Sequence, residues 1–212
     1  MYKNNSKDKP YYTQRNNHIK PGTSCNVTSM IAGLSAAGYP VDSLVPEGVQ
    51  PEDSLLRYIM TDAACSRLWR RLDPSGKIPP NEWHDVLAYG CNRWLGAHGI
   101  KRNPVTFTQA RITDVRNMID AGGAAVVSGV FETVTGKINH IVCVVGYDGD
   151  DLIIDDPWGD FRDKYKTQQG NDIPLTAAQW SEMLKPVNQG KKWAHLIAPY
   201  KKKEENTEGE AA

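Results

Sequence analysis

Thr23-Ser24-Cys25-Asn26-Val27-Thr28-Ser29 sets a cysteine at the start of a predicted helix, around which the rest of the fold is organised. Serine is favoured at the N-cap position of a helix, so Ser24 is a good N-cap candidate. The apolar residues that follow recur at the i, i+3, i+4 and i+7 spacing of one helical face: Val27, Met30, Ile31 and Leu34. At about 100° per residue this stripe centres opposite Cys25, so we expect the sulfur to point away from the buried face.

A cysteine at this position has a chemical use. The positive end of the helix macrodipole and the free backbone N–H groups favour a thiolate over a thiol. A half-buried structural cysteine is the alternative interpretation, and it is the commoner one for a cysteine taken at random. The residues found further along the chain favour the reactive interpretation.

Helical patterns come first along the chain and strand patterns later, which is typical of an α+β fold. Helices are predicted over residues 54–72, 81–95, 113–121 and 177–184, and strands over residues 124–131, 140–147, 152–156 and 193–198. Asp148-Gly149-Asp150 predicts a hairpin between two of these strands. We therefore expect the cysteine helix to pack on a mostly antiparallel sheet.

We expect a single domain over residues 11–200, flanked by two polar segments. Residues 1–10 predict a flexible leader, and the charged residues 201–212 predict a disordered tail. The α-rich middle, about residues 51–96, is interpreted as a helical layer or an inserted subdomain.

The composition gives no support for several classes of function. The formal net charge is 0, so no nucleic-acid or anionic membrane partner is expected. No apolar run approaches the ~20 residues of a membrane span, and the polar N-terminus has no apolar core for a signal peptide. We therefore expect synthesis in the cytosol. The four cysteines are expected to be free thiols, because no C-x-x-C pair is present. The oligomeric state is left open.

One stretch can be compared with a calcium-binding loop. If Asp73 took position three of an EF-hand, Gly76 and Glu82 would take positions six and twelve. Arg71 would then stand at position one, where a carboxylate is needed, so a turn between two helices is the better interpretation. No metal or cofactor is predicted.

His140 and Asp156 are predicted to meet at one end of the hairpin. His140 begins one predicted strand and Asp156 ends the next, so their side chains can touch if the register allows. An imidazole oriented by a carboxylate can accept the proton of a thiol and later protonate a leaving amine. Asp155 is the rival carboxylate, because neighbours on a strand point to opposite faces. We favour Asp156 for its place before Pro157.

Two further residues are candidates for the same site. The Gln14 side-chain amide lies upstream on the segment that leads into the helix, and with the Cys25 backbone N–H it is a candidate donor to an oxyanion. Trp158, next to the predicted acid, is the best candidate among the tryptophans for lining the cleft.

The order Gln…Cys…His…Asp resembles the papain-like clan and, more narrowly, the C39-like peptidase family. The motifs that carry the resemblance are residues 11–17 (YYTQRNN), 24–29 (SCNVTS), 139–147 (NHIVCVVGY) and 155–159 (DDPWG). The resemblance implies that Cys25 is the nucleophile, His140 the base, Asp156 the orienting acid and Gln14 a donor to the oxyanion. Many relatives have Gly where this chain has Asn26, and Asn26 is predicted, with Trp158, to contact substrate.

The resemblance also implies an activity, that of a thiol-dependent hydrolase of peptide or amide bonds. Similar domains trim leader peptides or degrade bacterial cell walls, and a small chain made in the cytosol fits a lysin that acts on peptidoglycan after release. A protease of proteins or leader peptides is one alternative. A non-catalytic binding or inhibitory module on the same fold is another.

Overall fold

The computed structural model describes residues 1–184 and 193–201. Its strands are β1 (Tyr2–Asn4), β2 (Val105–Gln109), β3 (Ala124–Thr133), β4 (Gly136–Asp148), β5 (Asp151–Asp155), β6 (Ile173–Leu175) and β7 (Trp193–Ile197). They form a seven-stranded sheet in the order β2-β7-β3-β4-β5-β6, and β1 pairs with β4. All of these pairings are antiparallel. The predicted α+β class and the antiparallel sheet are confirmed.

Helices cover both faces of the sheet. They are α1 (Cys25–Ala36), α2 (Pro51–Thr61), α3 (Ala63–Leu72), α4 (His84–Ala97), α5 (Ile112–Asp120) and α6 (Ala177–Met183). Side chains of α1, α2 and α4 share one apolar cluster with the sheet, whereas those of α5 share another. No helix of the described residues is long and apolar enough to cross a bilayer.

The alternation of side chains along β4 separates these two clusters. Cys143 and Val145 belong to the cluster on the side of α1, whereas Val142 and Val144 belong to the cluster on the side of α5. Successive residues of a strand point to opposite faces, so a strand covered on both faces is apolar at consecutive positions. This double burial explains the continuous apolar run that follows His140.

The helix α1 is buried on nearly all sides. The sequence predicted burial of only one face, the one that carries the apolar stripe. Every residue of α1 except Cys25 is buried. Gly33 lets the helix approach the sheet closely, because an added Cβ would stand 2.5 Å from Ile197 Cδ1 and 3.1 Å from Cys143 Sγ. The expectation that Cys25 points away from the packed surface is nevertheless correct, since it alone in α1 is partly exposed.

The single helix predicted over residues 54–72 is in fact two helices, and the first of them already begins at Pro51. Asp62 stands between α2 and α3, and its carboxylate accepts hydrogen bonds from the backbone N–H groups of Ala64 at 3.0 Å and Cys65 at 2.9 Å. A side chain that caps a new helix in this way interrupts the one before it. The continuous apolar periodicity concealed this boundary.

The predicted turn at Asp73 is confirmed. The Asp73 carboxylate accepts N–H groups from Ser75 and Gly76 at 3.1 Å and from Ile78 at 2.9 Å. Because its oxygens are occupied by the backbone of the turn, this carboxylate organises the connection after α3.

The N-terminal segment differs from the flexible leader that was expected. Tyr2 pairs with Asp148 and Asn4 with Gly146, so β1 extends the sheet beside β4. The Asn5 side-chain amide donates to the carbonyl oxygens of Ile119 and Gly123, both at 2.8 Å.

Two short strands, β2 and β6, were not predicted from the sequence. The predicted disordered tail lies outside the described residues from residue 202 onward.

Candidate active site

Cys25 is the first residue of α1, and the N-terminus of this helix is organised differently from the prediction. Ser24 occupies the N-cap position, but its side chain makes no capping hydrogen bond. Its hydroxyl instead accepts a hydrogen bond from the Asn17 side-chain amide at 2.9 Å, and the same amide donates to Thr28 Oγ1 at 3.0 Å. Asn17 therefore holds the start of the helix against the preceding segment.

His140 is brought to Cys25 by contacts between α1 and β4. Ser29 lies one turn after Cys25 on the same face of α1, and its hydroxyl donates to the Ile141 carbonyl oxygen at 3.0 Å. Ile141 is the neighbour of His140 in β4. Both residues line the same cleft, and the nearby Cys25 thiol helps to raise the pKa of the His140 imidazole. The helix and the strand therefore present thiol and imidazole to each other.

Asp156, immediately after β5, contacts the other side of the imidazole. His140 Nε2 lies 2.7 Å from Asp156 Oδ1, and the two side chains are 4% and 0% exposed. The predicted meeting of these residues at one end of the hairpin is confirmed. Because Nε2 is bound to the carboxylate, Nδ1 is the ring nitrogen that remains for Cys25.

The Asp156 carboxylate is held from several directions. Oδ1 also accepts the Trp158 backbone N–H at 2.9 Å, and Oδ2 accepts the Tyr165 hydroxyl at 3.1 Å. Its main-chain oxygen accepts the Tyr11 hydroxyl at 2.6 Å. Gly170 approaches the same backbone so closely that an added Cβ would collide with the Asp156 carbonyl oxygen.

The negative charge of Asp156 raises the pKa of the His140 imidazole. Burial lowers the pKa of His140, but the nearby Asp156 carboxylate and its hydrogen bond raise it more, with a further rise from Cys25. The net result is a pKa of His140 raised to about 10. A carboxylate at hydrogen-bond distance favours the imidazolium, so the site stabilises a positive charge beside the cysteine.

Asp155 has a different environment. Its carboxylate accepts the Asp172 backbone N–H at 2.9 Å, on the opposite side of the chain from His140. Burial, partly offset by this hydrogen bond, raises the pKa of Asp155 to about 7. The contacts therefore place Asp156, and not Asp155, beside the imidazole.

Gln14 is buried and lines the same cleft as Cys25. Its backbone N–H donates to the Pro157 carbonyl oxygen at 2.9 Å, and its side-chain Nε2 donates to the Pro21 carbonyl oxygen at 2.7 Å. Nε2 carries a second hydrogen, so the amide retains a donor after binding Pro21. The side chain is fixed in place, and its role toward an oxyanion stays a prediction.

Asn26 borders the cleft, but its side chain is engaged within the protein. Its amide nitrogen donates to the Asn81 carbonyl oxygen at 2.6 Å, and its oxygen accepts the Val27 N–H at 2.8 Å. These bonds tie the start of α1 to the helical middle region. These contacts support a role of Asn26 in anchoring α1 better than they support the predicted contact with substrate.

Trp158 lines the cleft and is fixed by Arg15. The Arg15 guanidinium lies 4.3 Å from the centre of the Trp158 ring, and Arg15 Nε donates to the Trp158 carbonyl oxygen at 2.6 Å. A second guanidinium nitrogen donates to the Tyr165 carbonyl oxygen at 3.2 Å. Arg15 thus joins the segment before α1 to the loop that carries Trp158 and Tyr165.

Sequence reasoning missed Tyr165. Tyr165 has a positive φ angle of 66°, and Lys164 before it has one of 61°. Bulky residues are uncommon in this left-handed region. Glycine or asparagine would have indicated such a turn, and neither is present at these positions, so no signal marked the loop.

The cleft that contains Cys25 and His140 has a volume of about 860 Å³. One wall is formed by the start of α1 and the residues that lead into α4, and the other by β3, β4 and the loop at Tyr165. Among residues 1–184 and 193–201, no group of three or more His, Cys, Asp or Glu side chains is placed to hold a metal ion.

Comparison with known proteins agrees with this architecture. The model of the Peptidase_C39 like family matches residues 6–187 of the chain. The fold is similar to the crystal structure of a candidate C39-like peptidase from Bacillus anthracis, with a TM-score of 0.53 and 16% sequence identity. The similarity covers 94% of this chain and 100% of that chain, and it confirms the predicted fold. No curated protein matches the sequence.

The raised pKa of Asp155 predicts how stability depends on pH. Unfolded, this carboxyl releases its proton near its ordinary pKa of about 3.9, whereas the folded protein retains the proton up to about pH 7. The folded state therefore holds an extra proton in this window, and stability falls as the pH rises through it, by at most about 1.4 kcal/mol per pH unit.

Asp155→Asn removes this dependence and keeps an oxygen that can accept the Asp172 N–H. We expect the variant to gain stability relative to the unmodified protein between pH 5 and pH 8, as measured by urea unfolding at several pH values. A difference between the two proteins that stays constant over this range would contradict a buried, protonated Asp155.

Proposed function

The chain belongs to the Peptidase_C39 like family, and from this membership we propose that it is a thiol-dependent hydrolase that cleaves peptide or amide bonds through Cys25, His140 and Asp156. The observation that carries the proposal is the buried bond of 2.7 Å between His140 Nε2 and Asp156 Oδ1, which lies beside a partly exposed cysteine. A thiol, an imidazole and an orienting carboxylate are the components of nucleophilic catalysis.

In the proposed mechanism, His140 Nδ1 takes the proton of the Cys25 thiol, and the thiolate attacks the carbonyl carbon of the substrate. The negative charge on the carbonyl oxygen is stabilised by the Cys25 backbone N–H and the Gln14 side-chain N–H. The imidazolium then protonates the leaving amine, and a thioester remains on Cys25. Water attacks this thioester with His140 as the base, which releases the acid and restores the thiol.

Asp156 acts by fixing the imidazole. Its contact with Nε2 directs Nδ1 toward Cys25 and stabilises the imidazolium in both halves of the reaction. Tyr165 and the Trp158 backbone N–H in turn hold the carboxylate. We interpret Tyr165 as a positioning residue, since its hydroxyl reaches the reacting groups only through Asp156.

We take the peptide part of bacterial peptidoglycan as the substrate. The rim of the cleft near the tip of the β3–β4 hairpin carries uncharged hydroxyl and amide groups, from Thr133, Thr135 and Asn139. Hydroxyl and amide groups of this kind can form hydrogen bonds with the backbone of a bound peptide. Folded proteins and leader peptides are the competing substrates.

The nucleophile can be tested by alkylation with iodoacetamide. Because His140 is stabilised as a cation beside the sulfur, we expect Cys25 to react at close to its maximal rate already at pH 6, as measured by peptide mass. The other cysteines, Cys65, Cys91 and Cys143, are fully buried. Burial raises the pKa of each of these three thiols, so the reaction should be confined to Cys25. A rate that rises only near pH 8.5, as for an ordinary cysteine, would contradict an activated thiol.

The substrate can be tested by digestion of purified bacterial peptidoglycan, with the release of new amino groups as the measurement. We expect release by the unmodified protein and none by Cys25→Ala, because removal of the sulfur removes the acyl acceptor. Casein and a leader-peptide fusion serve as parallel substrates. If these are cleaved and peptidoglycan is not, the substrate assignment is wrong and the hydrolase assignment stands. If none is cleaved, the non-catalytic alternative is favoured.

Two neighbouring carboxylates offer a matched test of the orienting role. Asp156→Asn should lower kcat by at least about 100-fold, because a neutral amide neither stabilises the imidazolium nor enforces its orientation. Asp155→Asn, one residue away and bonded to Asp172 instead, should leave kcat close to that of the unmodified protein. Equal losses in the two variants would contradict the assignment of Asp156.

A further inference from the structure

A second pair of histidines borders the cleft and has no role in the proposed mechanism. His84 is the first residue of α4 and lines the cleft together with Trp193 of β7. The His84 ring lies 3.8 Å from the centre of the Trp193 ring and 4.9 Å from that of Phe107, to which it is nearly parallel. His195, also on β7, is fully buried behind it.

The two imidazoles are hydrogen-bonded to each other. His84 Nδ1 lies 3.2 Å from His195 Nε2, so one of these nitrogens must carry the proton. The remaining nitrogen of His195, Nδ1, is buried and has no hydrogen-bond partner among the described residues. This unpartnered atom decides whether the proton between the two rings is carried by His195 Nε2 or by His84 Nδ1.

If His195 carried its proton on Nδ1, an N–H group would be buried without an acceptor. If the proton is on Nε2, only a lone pair is left unpaired, and buried acceptors are left unsatisfied more often than buried donors. His195 therefore donates from Nε2, and His84 accepts at Nδ1. It follows that neutral His84 carries its own proton on Nε2.

Nε2 is then the donor that His84 can offer to the cleft. His84 is half-buried and lines the cleft, and no described residue forms a hydrogen bond with its Nε2. Protonation of His84 would place a second proton on Nδ1, opposite a nitrogen that already carries one. His195 would then have to move its proton to the buried Nδ1, so the pair resists becoming charged.

The charged groups near the pair do not reverse this preference. Burial lowers the pKa of His84, and Asp85 on the same helix raises it by less. Burial and the proximity of His84 lower the pKa of His195 to about 3. Glu82 also borders the cleft, whereas β2 and β7 contribute only the uncharged rings of Phe107 and Trp193 at this point.

We propose that His84 is a specificity-determining residue, whose Nε2–H donates a hydrogen bond to an amide oxygen of the peptide bound in the cleft. The assignment rests on the proposed function, since it identifies what the same cleft recognises. A neutral N–H donor suits a neutral amide oxygen as its acceptor. The amide oxygen belongs either to the substrate backbone or to a side chain such as that of glutamine.

The first measurement is a long-range ¹⁵N–¹H spectrum of the histidine rings in full-length Cys25→Ala protein. We expect His84 and His195 to be neutral at pH 7 and above, with their protons on Nε2, and the pKa of His84 to lie below its ordinary value. A proton on Nδ1 of His84, or titration of His84 near its ordinary pKa of about 6.5, would overturn the proposal. This readout needs no substitution at either histidine and no catalytic activity.

The second measurement is peptide binding to the same Cys25→Ala protein by calorimetry. The probes are acetylated and amidated alanine pentapeptides with a single Gln, Glu or Leu at each position. We expect His84→Phe, which keeps a ring against Phe107, to weaken binding about three- to tenfold, as loss of one neutral hydrogen bond does. His98→Phe is the matched control, because His98 bonds to the Trp94 carbonyl oxygen and does not border the cleft.

The pattern of losses identifies the acceptor. A loss confined to the Gln peptides indicates a side-chain amide, and an equal loss for all the peptides indicates a backbone carbonyl. Affinities unchanged by His84→Phe, or lowered equally by His98→Phe, would overturn the assignment of His84 and leave the hydrolase intact. A protein that neither binds the peptides nor cleaves any substrate overturns both proposals.

Discussion

The buried contact between His140 and Asp156 is the constraint on which the rest of the site depends. An ion pair removed from water is stable only when its remaining hydrogen-bonding capacity is satisfied. Here the carboxylate receives donors from Trp158 and Tyr165 in addition to the imidazole. The contact is therefore the centre of a network in which each partner arrives from a different segment of the chain.

This requirement explains the architecture around the cleft. The segment before α1 is bonded to the loop after β5 through Thr13 and Gln14, both of which contact the Pro157 carbonyl oxygen. Arg15 extends the same connection to Trp158 and Tyr165. As a result, the residues that approach the cysteine and those that hold the acid form one bonded unit, although they are distant in sequence.

The sequence predicted those parts of the site that follow from periodicity and topology. The hairpin brought His140 and Asp156 together, and the alternation of a strand separated Asp155 from Asp156. The predictions that failed concern side chains for which a local and a distant hydrogen-bond partner compete. Ser24 was a plausible cap, but Asn17 engages its hydroxyl, and no pattern in the sequence shows which bond is stronger.

Tyr165 and the histidine pair show a second limit of the sequence. Tyr165 reaches Asp156 because two bulky residues adopt a left-handed backbone, which their residue types do not indicate. His84 and His195 have no characteristic spacing, and they meet only because α4 packs on β2, the strand that pairs with β7. Short strands such as β6, with a proline at its centre, likewise lack a propensity signal and form because a neighbouring strand offers its edge.

The distribution of the cysteines has a consequence for the redox chemistry of the protein. Cys65, Cys91 and Cys143 are fully buried, and Cys25 alone is accessible. A sulfenic acid formed on Cys25 by peroxide would have no accessible thiol in the same chain with which to condense. Its recovery would depend on a thiol supplied from outside, and without one oxidation would proceed to the irreversible sulfinic acid. The fold therefore couples the state of this sulfur to the reducing capacity of its surroundings.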